Sequence, residues 1–208
     1  MLSRHETLDT TVMVFSVLVF GFAISMISLL PPGPVTMTLV GVGVNQGKSV
    51  GVRSGAGAAV GDTSAAVAAG ILVASGAALP ATVFSAIEIF ASGLLILVGA
   101  VMAIRPGGVA RFAGSVTRPT RTFFALAAFT PTVFAAWVAI LSALPFDTNS
   151  TNLVSFLVGA FGASLVYHLT VGAAAGVVGP RLTQRFVTNM TRASGTLFAV
   201  LGCYVLAV

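Results

Sequence analysis

Asp62, Glu88 and His168 are the three ionisable side chains that fall inside long apolar runs of this 208-residue chain. A group that can carry charge is expensive in such surroundings and defaults to a functional role. Apolar runs are expected over Ser54–Leu79, Thr82–Ile104 and Leu153–Val178. Asp62 then lies eight residues past Ser54, and His168 ten residues before Val178. At the helical rise these offsets are about 12 Å and about 15 Å from the same end. An acid and an imidazole at similar depth can pair or exchange a proton. Glu88, six residues past Thr82, falls about 9 Å from the opposite face and need not touch the other two. All three are candidates for proton coupling. The bland alternatives are a helix-packing hydrogen bond for Asp62, an interfacial Tyr167-His168 pair, and an outward snorkel for Glu88.

The second chemical feature is an interruption, Leu29-Leu30-Pro31-Pro32-Gly33-Pro34-Val35-Thr36. It lies within 38 residues, 10 to 47, that carry no charge. A straight helix of that length would rise about 57 Å, against a hydrocarbon core of about 30 Å. Three prolines and a glycine remove backbone donors and clash with the preceding turn, so the helix breaks. Broken helices inside a bilayer are tolerated where protein or a water-filled cavity surrounds them. Pro34 suits the first position of a new helix, where its missing N–H costs nothing. The amides of Val35, Thr36 and Met37, next to Gly33, would then point into the break with the positive end of the helix dipole. That arrangement suits an anionic group such as an amino-acid carboxylate. Thr36 and Thr38 offer hydroxyls, or else bond back to the preceding turn. A second break is expected at Thr130-Pro131, the alternative being a simple kink in a packed helix.

The elements that must hold these groups follow from composition and charge. The chain is 57% hydrophobic and 7% charged, with a mean hydropathy of +1.05. A soluble domain carries about 25% charged residues, so the expectation is an all-α polytopic membrane protein. Six spans fit: Thr11–Val44 in two halves, Ser54–Leu79, Thr82–Ile104, Thr122–Leu144, Leu153–Val178 and Asn189–Val208. Gly51 with Gly55 and Gly57 with Gly61 are small-xxx-small pairs that let helices approach closely. Nine of the ten Lys and Arg residues then fall in loops 1, 3 and 5, from Lys48 to Arg192, and only Arg4 on the other side. The positive-inside rule puts those loops in the cytoplasm and both termini outside. Three spans per half make the second half an inverted copy of the first: an inverted 3+3 repeat of residues 1–105 and 106–208, with proline-broken helices one and four.

Other classes find little support. The net charge of +5 is not gathered on a face interleaved with aromatics, so no nucleic-acid partner is expected. Cys203 is the only cysteine, which excludes an internal disulfide, a redox pair or a thiolate cage. No HExxH, GxSxG or P-loop motif occurs, so neither an enzyme nor a cofactor is expected. The apolar N-terminal stretch is longer than a signal-peptide core and reads as a retained first helix.

The opening of the chain resembles the lysine exporter (LysE/RhtB) family of amino-acid exporters. The resemblance is carried by Pro32-Gly33-Pro34, Asn45-Gln46-Gly47, Gly51, Gly55 and Gly61-Asp62, and more weakly by Asn189, Arg192, Gly195, Gly202 and Tyr204. Three positions depart from the family pattern: Thr130-Pro131 stands for its usual Asn-Pro, an aliphatic residue near Leu94 for its tyrosine, and Glu88 is unexpected. The resemblance implies a small proton-driven exporter of amino acids in the inner (plasma) membrane. The expected partners are an amino-acid substrate, membrane lipid and, given the glycine-rich second span, another copy of the chain. The substrate would be held by Gly33, Pro34, Val35, Thr36, Met37, Thr130 and Pro131. Two alternatives stand beside this: a divalent-cation exporter using Asp62, Glu88 and His168, and a non-transport subunit of a lipid-export system.

Overall fold

The computed structural model describes residues 4–30, 32–75, 81–106, 113–146, 149–181 and 183–207, with no side-chain detail for 4–10, 81, 84, 87, 88, 180, 184 and 205. Every regular element among them is helical. In chain order these are α1 (Arg4–Leu29), α2 (Pro34–Gln46), α3 (Lys48–Ala74), α4 (Ala81–Ile104), α5 (Pro119–Ala128), α6 (Pro131–Ser142), α7 (Ser150–Val178), a 3-10 turn (Gly179–Arg181) and α8 (Gln184–Ala207). Thr11–Leu29, Lys48–Ala74 and Ser150–Val178 are each long and apolar enough to cross a membrane. The α5–α6 pair, bent by 55°, makes a fourth if taken as one span, and Ile89–Ile104 is a shorter apolar helix. Large side chains such as Phe15, Ile27, Leu97 and Phe129 stand exposed around the outside, as suits a chain compatible with a membrane environment.

Both expected breaks are present. Pro34 opens α2 and Pro131 opens α6, each at the start of its helix. The polar turn expected at Asn45–Ser49 shrinks to one residue, so α3 starts at Lys48, six positions before Ser54. The physical reason is local. Asn45 Nδ2 donates back to Gly41 O at 2.7 Å and keeps its residue helical. Gly47, at φ 84°, makes the reversal alone, in a region where a side chain is strained.

The helices pack in a regular pattern. α3 lies against α7, and α4 against α8; α1 lies against α7, and α5 against α3. α2 and α6 follow the same scheme, against α7 and α3 respectively. Glycines set the closest crossings. A Cβ on Gly51 would meet the Gly172 carbonyl and one on Gly55 the His168 carbonyl, both on α7. A Cβ on Gly57 or Gly61 would meet the carbonyl of Thr120 or Phe124 on α5. The two small-xxx-small pairs of α3 therefore serve two different neighbours, and both work within one chain.

Three apolar clusters fill the interior. Phe156, Trp137, Leu141 and Ala66 join α1, α3, α6 and α7. Leu39, Val42, Ala58 and Phe123 join α2, α3 and α5, and Met37, Met102 and Phe198 join α2, α4 and α8. At one end the α2–α3 turn meets two other basic segments. Gln46 Nε2 donates to Ala113 O at 2.6 Å, and Gly179 packs on Val44.

Candidate functional site

Asp62 and His168 are brought together, through a residue the sequence did not single out. The Ser164 hydroxyl donates to Asp62 Oδ2 at 2.8 Å and lies 3.2 Å from His168 Nδ1. The other carboxylate oxygen, Oδ1, accepts from Trp137 Nε1 at 2.9 Å. α3 thus contributes Asp62, α6 Trp137 and α7 both Ser164 and His168, and all four are buried. His168 Nδ1 also lies 2.9 Å from the Ser164 carbonyl. A carbonyl only accepts, so Nδ1 carries a proton. Two signals for the missing partners are visible in hindsight. Ser164 sits four residues before His168, on the same helix face, and a buried tryptophan N–H needs an acceptor.

The helix starts at the two breaks are built alike, with one correction. Of the three amides expected to be free, that of Met37 is engaged, donating to Gly33 O at 2.9 Å. Gly33 is the N-cap, at φ −70° and ψ 170°, so the fourth helical amide closes the first regular turn on it. The open donors are those of Val35 and Thr36, the Pro34 nitrogen having none. At the second break, Thr130 is the N-cap, and Val133 N already donates to Thr130 O at 3.0 Å. The hydroxyls bond backwards: Thr38 Oγ1 donates to Pro34 O at 2.8 Å, and Thr130 Oγ1 to Leu126 O. The Thr36 side chain instead interacts with Tyr167. Tyr167 in turn stands edge-on to the His168 ring, with centroids 5.2 Å apart.

One cavity of about 530 Å³ joins the two breaks. Pro34, Val35 and Thr38 line it from α2, Thr130 and Thr132 from the second break, and the apolar second half of α4 supplies most of the rest. Arg105, just past the end of α4, is its one charged lining residue among those described. Asp62 and His168 do not line it. The site thus divides into a solute-sized cavity and a buried polar cluster. Thr36, one residue past the lining Val35, and Tyr167, beside His168, lie between the two parts in sequence. Glu88 lies on α4; its side chain, like Pro31, is outside the described residues. No group of three or more His, Cys, Asp or Glu able to hold a metal ion occurs among the described residues.

No family model, curated protein or solved structure matches this chain.

Proposed function

We propose that the chain is a secondary transporter that exports small zwitterionic solutes, amino acids foremost, from the cytoplasm by proton antiport. The observation that carries this reading is the cavity shared by the two proline-opened helices. Discontinuous helices meeting in corresponding halves of a chain are the usual setting of a transporter's substrate site. In this reading the six spans form an inverted 3+3 repeat. Exchanging the halves turns the α1–α7 contact into α5–α3 and α2–α7 into α6–α3, and all of these contacts occur. The meeting of the Gln46, Ala113 and Gly179 segments at one end supports a common side for the basic loops. The positive-inside rule makes that side cytoplasmic, in the inner (plasma) membrane.

The work divides between the two parts of the site. The start of α2, where Val35 lines the cavity with an open amide, receives the substrate carboxylate. The Asp62–Ser164–His168 cluster takes up the coupling proton, with Asp62 Oδ2 and His168 Nε2 as the exchanging atoms. Substrate at the first turn of α2 alters the Thr36–Tyr167 contact, and through it the packing on His168. The resemblance to the LysE/RhtB family points the same way. The test is flux in reconstituted vesicles under an imposed pH gradient, with a panel of labelled amino acids beside divalent cations. Gradient-dependent movement of at least one amino acid is expected; movement of none overturns the proposal.

A further inference from the structure

The chemistry of the cavity wall selects among solutes, an inference that rests on the transport reading above. Along α4, Leu94, Val98, Val101 and Arg105 are spaced by four, three and four residues and all line the cavity. That spacing keeps them on one helix face, so a continuous aliphatic stripe ends in a guanidinium. Thr38 and Thr130 line the same cavity. Each has committed its hydroxyl proton to a carbonyl of its own chain, Pro34 O and Leu126 O. What such a hydroxyl still offers is acceptor lone pairs, which suit an ammonium group. No carboxylate lines the cavity among the described residues.

We propose that this cavity binds neutral α-amino acids with an aliphatic side chain and discriminates against cationic ones. The solute carboxylate is drawn in by Arg105 and the first-turn amides of α2. Its ammonium rests on the Thr38 and Thr130 oxygens, and its side chain lies along Leu94, Val98 and Val101. A lysine-like solute would lay a second cation along the aliphatic stripe with no counter-charge, and an unpaired charge on an apolar surface is costly. A glutamate-like solute would press its second carboxylate against the aliphatic stripe. Arg105 and the stripe are therefore specificity determinants.

The experiment measures the melting temperature of the purified, detergent-solubilised protein in titrations of L-leucine, L-alanine, L-lysine and L-glutamate. A ligand that binds only the folded state raises the melting temperature with concentration. Leucine is expected to bind at least about tenfold more tightly than lysine or glutamate, in line with the discrimination that pocket contacts provide. Arg105→Gln should weaken leucine binding by about tenfold. Val98→Phe, which fills the cavity, should weaken leucine more than alanine. Arg105 is exposed, and an unchanged melting temperature without solute confirms that Arg105→Gln folds. Lysine binding as tight as leucine, or leucine binding indifferent to Arg105→Gln in a folded variant, overturns the assignment. Vesicle flux keeps the two readings apart. Leucine bound with this selectivity but never moved sinks transport and leaves the site. Lysine moved in preference to leucine leaves transport and sinks the selectivity.

Discussion

Trp137 is the one tryptophan of the chain, and its indole N–H is spent on Asp62. Its fluorescence is therefore a built-in reporter of that carboxylate. Asp62→Asn should change the intrinsic emission spectrum; an unchanged spectrum in that variant would deny the contact. His168, joined to Asp62 through Ser164, faces the same cluster without a hydrogen bond to the indole, so His168→Gln should change the emission less than Asp62→Asn does. Removing the donor by Trp137→Phe leaves Asp62 Oδ1 short of a partner, at a cost of about 1–3 kcal/mol. A lowered melting temperature with the fold intact by circular dichroism would register that loss. The pairing of Asp62 with His168 was legible in the sequence, because two ionisable groups in apolar runs at similar depth have few other partners. Ser164 and Trp137 were not. Which serine or indole faces an acid depends on the rotation of each helix about its axis, and a uniformly apolar helix leaves that rotation unmarked.

At the level of elements, prolines and glycines do most of the positioning. Gly159 and Gly21 fit into one another's helices, a Cβ on either meeting the carbonyl of Leu18 or Phe156. Gly159→Ala should thus destabilise by about 1–3 kcal/mol through overpacking. A methyl group added to Gly93 on α4 would meet nothing within 4 Å. Gly93→Ala should be neutral or stabilising by about 0.5–1 kcal/mol, the helix-propensity difference. Paired melting curves check both, and equal effects would deny that helix contact decides the sign. Both breaks could be read from proline positions alone, because a ring at a helix start acts locally. The engaged amide of Met37 follows from Gly33 being the N-cap, a backbone angle that residue types do not specify. The cavity was not legible either, since it needs α4 to lie across both breaks, and nothing in an apolar run names its neighbour.

On the scale of the molecule, orientation and coupling are the claims at stake. In a Cys203→Ser background, a cysteine at position 48 or 181 should react with an impermeant reagent only from the cytoplasmic side. Reaction of either from outside would reverse the topology. The nine basic residues of loops 1, 3 and 5 made this expectation readable, and the contact between Gln46 and Ala113 places two of those segments together. The packing of α1 and α2 on α7, and of α5 and α6 on α3, was not legible, because an apolar run does not specify which helix it meets. The central claim is that solute movement through the cavity is coupled to protonation of the Asp62 cluster. Its most direct measurement follows labelled L-leucine efflux and internal pH together in vesicles holding the wild-type or Asp62→Asn protein. The account predicts that leucine leaving the wild-type vesicles is matched by protons entering. In Asp62→Asn, proton entry and gradient-driven efflux should fall at least about tenfold, the scale on which proton-transfer groups act. Leucine efflux with no accompanying proton entry, or full coupling in Asp62→Asn, would contradict it.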